Sequence, residues 1–450
     1  MALTGIEIYK HLPKTNCKEC GFPTCLAFAM KLAAKAVELS LCPYVSEEAK
    51  QALEAASRPP IRLVTIGAGE RKIEVGNEVV MFRHEKTFYH PPGFVVRVKD
   101  SEPADAVAKL VAEVAGYSVE RVGLELKMDG FAIENKSKDG GSFVKCVELV
   151  SSKTDLPLVL MSQDPAIMGQ ALEKVARAKP LIHAATKDNW EQMAELALKH
   201  KCPLAVYEPT GLSELAALVS QVTGKGVEDV VLDPGARDFG QSLSTLTQLR
   251  RLALRKSFRP LGYPIITFPG EAASSVEEEV LLAGQQVAKY AGIIVLDHFS
   301  LGISYPLLTL RLNIYTDPQK PIQMSPGIYE IGTPKKESPL CVTTNFSLTY
   351  FSIAGELESS GFPSWLLVCD TEGLSVLTAW AAGKFDAERI AKTVKQFNVA
   401  DRISHRSVIL PGKVAVLRGE LEEELPDWKI MVGPLEAWDV GGFLKQNWAA

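Results

Sequence analysis

Long apolar runs are missing from this chain of 450 residues: nowhere do about 18 uncharged apolar residues follow one another, the length a membrane-crossing helix needs. The amino terminus, Met1-Ala2-Leu3-Thr4-Gly5-Ile6-Glu7, lacks the basic region and apolar stretch of a secretory signal. Basic excess is missing too. Lys and Arg number 49 against 54 Asp and Glu, for a net charge of −5, and no segment lines cations along one face, so there is little electrostatic basis for binding nucleic acid. A cytoplasmic protein with neither membrane nor nucleic acid as partner is expected. Phosphate-binding signatures are also absent: Gly224-Lys225-Gly226, Gly383-Lys384 and Gly412-Lys413 lack the hydroxyl that holds magnesium in a P-loop, and Gly67-Ala68-Gly69-Glu70 lacks the third glycine of a dinucleotide fingerprint. What remains is ordinary globular composition, 46% apolar and 23% charged with 33 Gly and 27 Pro, which excludes fibrous and broadly disordered classes. The length suggests about three domains.

The eight cysteines are unevenly placed. Cys17, Cys20, Cys25 and Cys42 crowd together in a Cys-x2-Cys-x4-Cys-x16-Cys pattern, whereas Cys146, Cys202, Cys341 and Cys369 are scattered in apolar contexts and read as inert buried thiols. An all-cysteine set suits either structural zinc or a [4Fe-4S] cluster. Zinc sites usually draw on two separated CxxC-like knuckles. Three cysteines within nine residues plus a distant fourth followed by Pro43 favour the cluster. A helix-like stretch from Leu26 to Leu39, with Ala27, Ala33, Ala34 and Ala36, bridges the third and fourth candidates. The Cys-x3-Cys-x2-Cys of radical enzymes is absent, so the cluster is expected to be fully ligated and to serve electron transfer.

Two composition shifts divide the chain. The Ala-rich stretch ending in Ser57-Arg58-Pro59-Pro60 closes a small cluster domain, 1–57. Pro318, Pro321, Pro326, Pro334 and Pro339, five prolines within 22 residues, read as an extended connection. Between them, 58–317, eight short apolar or β-branched runs alternate with helical-period stretches: Leu63–Ile66, Val122–Leu126, Leu158–Met161, Pro180–Ala184, Leu204–Tyr207, Val230–Asp233, Ile265–Phe268 and Ile293–Asp297. Eight βα units predict a TIM (βα)8 barrel. The insertion Val79–Lys99 reads as a hairpin. Glu208, Asp233, Asp297 and His298 fall at strand ends, where a catalytic role competes with ordinary capping, and the capping reading is preferred; His183 reads as a core histidine. In 318–450, strands at Leu366–Asp370, Thr393–Phe397, Ser407–Leu410 and Lys429–Val432 with a helix near Leu374–Ala382 predict a smaller, doubly wound α/β sheet, whose ligands bind beyond the carboxyl ends of the strands.

The amino-terminal Cys17, Cys20, Cys25 and Cys42 module, the barrel and the small α/β domain together resemble the large (gamma) subunit family of corrinoid iron-sulfur proteins of the reductive acetyl-CoA (Wood-Ljungdahl) pathway. The resemblance covers the whole chain. It implies a methyltransferase-type corrinoid protein whose Rossmann-like last domain holds a cobalamin-type corrinoid. It implies that cobalt accepts a methyl group from a methyltetrahydrofolate methyltransferase and delivers it to acetyl-CoA synthase, while the cluster reductively reactivates Co(II) to Co(I). The implied partners are the small subunit of a heterodimer, those two enzymes, and a reductive activator or low-potential electron donor. No Asp-x-His-x-x-Gly motif is present and His405 is the one histidine of the last domain, so base-off binding without a protein histidine ligand is expected. Strand-end position, not a matched motif, selects Thr343, Thr344, Asn345, Thr349, Thr371, Glu372, Gly373, Leu374, Gly412 and Gly433 as the corrinoid-binding candidates. No catalytic residue is assigned. Two other readings stay open: a pterin-dependent methyltransferase catalysed by the barrel itself, and an electron-transfer subunit without corrinoid.

Overall fold

The computed structural model describes residues 5–33, 37, 39–46, 49–50, 53, 59–317 and 322–448. The expected boundary at Ser57, the bridging Ala34 and Ala36, and Pro318 and Pro321 of the expected connection lie outside the described residues. The chain divides into two compact units: residues up to Tyr117 with Lys127–Tyr315, and Ser118–Leu126 with the residues from Thr316 onward. It therefore passes from one to the other at three places. Among the described residues no helix is long and apolar enough to cross a membrane.

The first unit begins with two short helices, Gly5–His11 and Cys25–Ala33, which bury Ile8, Leu12, Phe28 and Ala29 together with Cys25, Cys42 and Val45 in a core of their own. After it comes an eight-stranded, all-parallel and nearly closed barrel: Gly93–Lys99, Gly130–Glu134, Leu158–Met161, Leu181–Ala185, Leu204–Tyr207, Val230–Asp233, Ile266–Thr267 and Ile293–Leu296. Each strand pairs with its sequence neighbour, the last pairs with the first, and a single parallel bridge from Leu232 to Ile265 links the sixth to the seventh. Parallel strands covered on both faces favour continuous apolar runs over alternating ones. Val230–Asp233 and Ile293–Leu296 are accordingly buried at every position.

Two expected barrel strands are corrected. Leu63–Ile66 supplies not the first barrel strand but one arm of an antiparallel hairpin, Val64–Ile66 with Ile73–Val75, whose side chains join the barrel interior beside Val95, Val159 and Val231. The true first strand lies in the supposed hairpin insertion, immediately after the Pro91-Pro92 break. Val122–Leu126 is not the second strand either. Val122 and Gly123 take φ of +50° and +74°, so the run folds back as a hairpin of Val119–Arg121 and Leu124–Leu126 that belongs to the second unit. The second barrel strand is Gly130–Glu134.

The second unit holds a five-stranded sheet in the spatial order Gly327–Ile331, Ser364–Cys369, Leu340–Thr344, Ser407–Leu410, Lys429–Val432. The first is an antiparallel edge strand and the other four are parallel. Alternation divides its residues: Leu340, Val342, Leu367, Val408 and Leu410 enter a core with helices Val376–Ala381, Ala387–Gln396 and Arg418–Glu424, leaving Cys341, Thr343 and Ile409 for the opposite face. Thr393–Phe397, expected as a strand, is the end of helix Ala387–Gln396. Asp386 caps that helix by accepting from the Arg389 amide at 2.8 Å, and Ile390, Ala391 and Val394 form its buried stripe. The described part of the proline-dense stretch is likewise no free tether. Pro326 and Pro339 immediately precede the edge strand Gly327–Ile331 and the next strand Leu340–Thr344, and Tyr329 donates its hydroxyl to the Ser325 carbonyl at 2.7 Å.

Candidate functional site

The loop carrying the first three clustered cysteines turns sharply because Asn16, Lys18 and Gly21 all adopt positive φ. Asn16 clasps it: its side-chain oxygen accepts from the Cys25 amide at 2.8 Å, and its own amide points at the Cys25 sulfur at 3.4 Å. Thr24 starts the following helix by accepting from the Ala27 amide at 3.1 Å. Cys25 and Cys42 are buried and Cys17 and Cys20 partly so. Burial pushes the Cys42 thiol up, and the nearby Cys20, Cys25 and Cys17 push it in the same direction. Among the described residues no three His, Cys, Asp or Glu side chains are gathered at metal-binding distance, so the thiols neighbour one another without being drawn together. An all-sulfur donor set with an amide directed at one sulfur fits an iron-sulfur cube, whose potential such hydrogen bonds tune. The scattered thiols differ: burial alone pushes Cys341 up to about 12, and burial is also the largest cause holding Cys369 at about 12.

In the second unit a cleft of about 390 Å³ opens at the carboxyl ends of the parallel strands. Three expected residues, Thr343, Thr349 and Gly433, line it. Gly412 shapes it from behind: a Cβ there would stand 2.6 Å from the Gly433 carbonyl oxygen, and the Gly412 amide donates to the Pro434 carbonyl at 3.1 Å. The remaining candidates gather beside it around Asn345. That side chain is buried and accepts at 2.9 Å from the Thr371 amide, the Thr371 hydroxyl and the Gly373 amide, clamping a turn in which Glu372 and Gly373 both have positive φ. Leu374 packs against the core, Glu372 pairs with Lys384 on the surface, and the Thr344 hydroxyl is buried with no partner. Asn345 and Thr371 thus fold the rim and do not face the opening. Sequence reasoning missed Phe346, Leu435, Lys413 and Glu436, which do line it; the available signal was a charged residue in each of two otherwise apolar strand-end loops.

The barrel mouth is internally satisfied. Asp233, fully buried, accepts from Arg237 at 2.7 and 3.0 Å and bonds His183 Nε2 at 2.9 Å. Arg97 joins Asp297, Glu271 and Glu134, Glu208 pairs with Lys187, and His298 bonds Glu279. Burial alone would raise the Asp233 pKa, but the His183 hydrogen bond and the Arg237 charge outweigh it and hold the carboxyl well below the usual range. A depressed carboxyl stabilises the fold above its unfolded value near 4 and loses that contribution as pH falls through its folded value. Asp233→Asn is therefore expected to destabilise the protein by about 3 kcal/mol at neutral pH, as for a broken buried pair. The deficit measured by denaturant unfolding should shrink only in strong acid.

With these sites placed, comparison with known proteins decides the family. A family profile described as "CO dehydrogenase/acetyl-CoA synthase delta subunit" matches residues 63–444, and one described as "Putative Fe-S cluster" matches 12–44, the span of all four clustered cysteines. The corrinoid/iron-sulfur protein large subunit of Moorella thermoacetica is 46% identical over 100% of both chains. The chain belongs to the corrinoid/iron-sulfur protein large-subunit family. The acetyl-CoA decarbonylase/synthase complex gamma subunit of Methanopyrus kandleri, 35% identical over 99% of this chain and 98% of its own, is a further relative. Among solved structures, dihydropteroate synthase from Thermus thermophilus aligns with a TM-score of 0.38 and 16% identity, covering 56% of this chain and 100% of its own, too slight a likeness to carry an argument. For a member of this family the amino-terminal module is the iron-sulfur module, and the barrel and second unit together make up the span of the larger profile.

Proposed function

We propose that this chain is a corrinoid methyl carrier of the acetyl-CoA pathway, with the corrinoid at the carboxyl-end cleft of the second unit and a [4Fe-4S] cluster on Cys17, Cys20, Cys25 and Cys42. The observation that carries the reading is that cleft: apolar walls at the strand ends of a parallel sheet, in a chain 46% identical to a corrinoid/iron-sulfur protein large subunit. When bound, a corrinoid supplies a cobalt centre for methyl transfer and the cluster supplies a single low-potential electron for its reactivation. Phe346, Ile353 and Leu435 give the cleft apolar lining, while Asn345 holds the Glu372-Gly373 turn beside it.

No histidine is among the residues lining the cleft, which supports base-off, histidine-off binding. His405 donates through Nε2 to the Ser338 carbonyl at 2.9 Å and accepts through Nδ1 from the Ser407 amide at 3.2 Å, so both nitrogens are engaged. Cys341 lines the cleft, but with its thiol pushed up to about 12 it stays protonated. The second unit is read as the Rossmann-like, doubly wound domain of the family. The partners are a small subunit, a methyltetrahydrofolate methyltransferase, acetyl-CoA synthase and a reductive activator or low-potential donor, met in the cytoplasm. An electronic spectrum of anaerobically purified protein tests the reading: corrin bands superposed on broad iron-sulfur absorption are expected, and absorption by the cluster alone would refute it.

A further inference from the structure

The cleft has one cation and one anion among its lining residues, Lys413 and Glu436, and they face each other at 3.0 Å. They come from the loops after the adjacent strands Ser407–Leu410 and Lys429–Val432, which the hydrogen bond from the Gly412 amide to Pro434 ties together. The rest of the wall is apolar or hydroxylic, as at Phe346, Leu348, Thr349 and Leu435. We propose that Lys413 is a specificity-determining residue that binds the phosphodiester of a nucleotide-bearing corrinoid, and that Glu436 occupies the ammonium group until that anion arrives. The inference rests on the corrinoid reading.

The chemistry of such a corrinoid matches this distribution. Its nucleotide tail joins a flat aromatic base, suited to apolar walls, to a phosphodiester that carries one negative charge throughout the ordinary pH range. An unpaired anion pressed against apolar walls is strongly disfavoured. Lys413 is the one lining group able to neutralise it. With side chains 38% and 39% exposed, the resident ion pair is a weak one, so exchanging a carboxylate for a phosphate oxygen is easy, and the new bond is charge-assisted. Once released, Glu436 is left close to an anion and opposes its binding.

The test titrates full-length, corrinoid-free protein with hydroxocobalamin and with cobinamide, which has the same ring but neither phosphodiester nor base, following absorbance. Lys413→Met should weaken hydroxocobalamin binding by about tenfold, the loss expected for one charge-assisted hydrogen bond, and leave cobinamide unchanged. Lys413→Arg should retain the discrimination, and Glu436→Gln should tighten hydroxocobalamin alone. Equal effects on both compounds, or no effect of Lys413→Met on either, would overturn the inference while leaving the corrinoid reading intact. Wild-type protein that binds neither compound would overturn the corrinoid reading itself.

Discussion

Cys20→Ala protein, purified anaerobically, should have lost its broad iron-sulfur absorption while keeping corrin bands and full competence as a methyl donor once methylated. The first effect follows from ligand count: removing one of four thiolates from a fully ligated cube leaves an iron without its protein ligand. The second follows from electron bookkeeping. Methyl transfer out of a methylated corrinoid draws no net electron from the cluster, so only reactivation after oxidation should fail. Repeated turnover should accordingly decay in the variant and be restored by an artificial low-potential reductant. Loss of methyl donation with corrinoid still bound would break the proposed division of labour.

Gly412→Val should act at the other site, emptying the cleft while sparing the cluster. The added Cβ meets backbone, 2.6 Å from the Gly433 oxygen and 2.7 Å from the Pro434 carbonyl carbon, and backbone cannot swing aside as a flexible side chain can. The two strand-end loops must separate, breaking the Gly412 to Pro434 hydrogen bond. Overpacking of this kind costs about 1–3 kcal/mol, which a thermal melt should detect, together with loss of corrin bands and unchanged iron content. Gly442→Ala is the control. It sits in helix Val440–Asn447 with nothing within 4 Å of the new Cβ, and since alanine favours helix over glycine it should be neutral or slightly stabilising.

What could be read from the sequence followed from how each segment is buried. Leu158–Met161, Val230–Asp233 and Ile293–Leu296 are short apolar runs because both their faces are covered, and they stood out for that reason. The same criterion misled at Leu63–Ile66, of which Val64 and Ile66 also face the barrel interior but from a hairpin outside the eight-stranded ring; composition records burial and not which partner provides it. At Val122–Leu126 the obstacle was two positive-φ residues, of which only Gly123 has a sequence signature. Thr393–Phe397 is β-prone by composition, yet its helix is set by the Asp386 cap upstream and by packing of Ile390 and Val394. The clustering of Cys17, Cys20, Cys25 and Cys42 needed no tertiary information, since they are close in sequence. The cleft did need it. Thr343 and Gly433 could be chosen from strand-end position, but Asn345 is turned inward by three hydrogen bonds, and Lys413 and Glu436 meet only because their strands are neighbours in the sheet.

The barrel bears on the remaining rival. Its mouth carboxylates are already paired with Arg97, Arg237 and Lys187, an arrangement suited to stability and poorly suited to catalysis on its own. Methyltetrahydrofolate with a radiolabelled methyl group tests the central claim most directly, supplied to the reduced protein with and without a methyltransferase partner. The carrier account predicts label on the protein in a light-sensitive form only when the methyltransferase is present, and its passage to acetyl-CoA synthase afterwards. Transfer by the isolated chain, or label that never becomes bound to the protein, would contradict it.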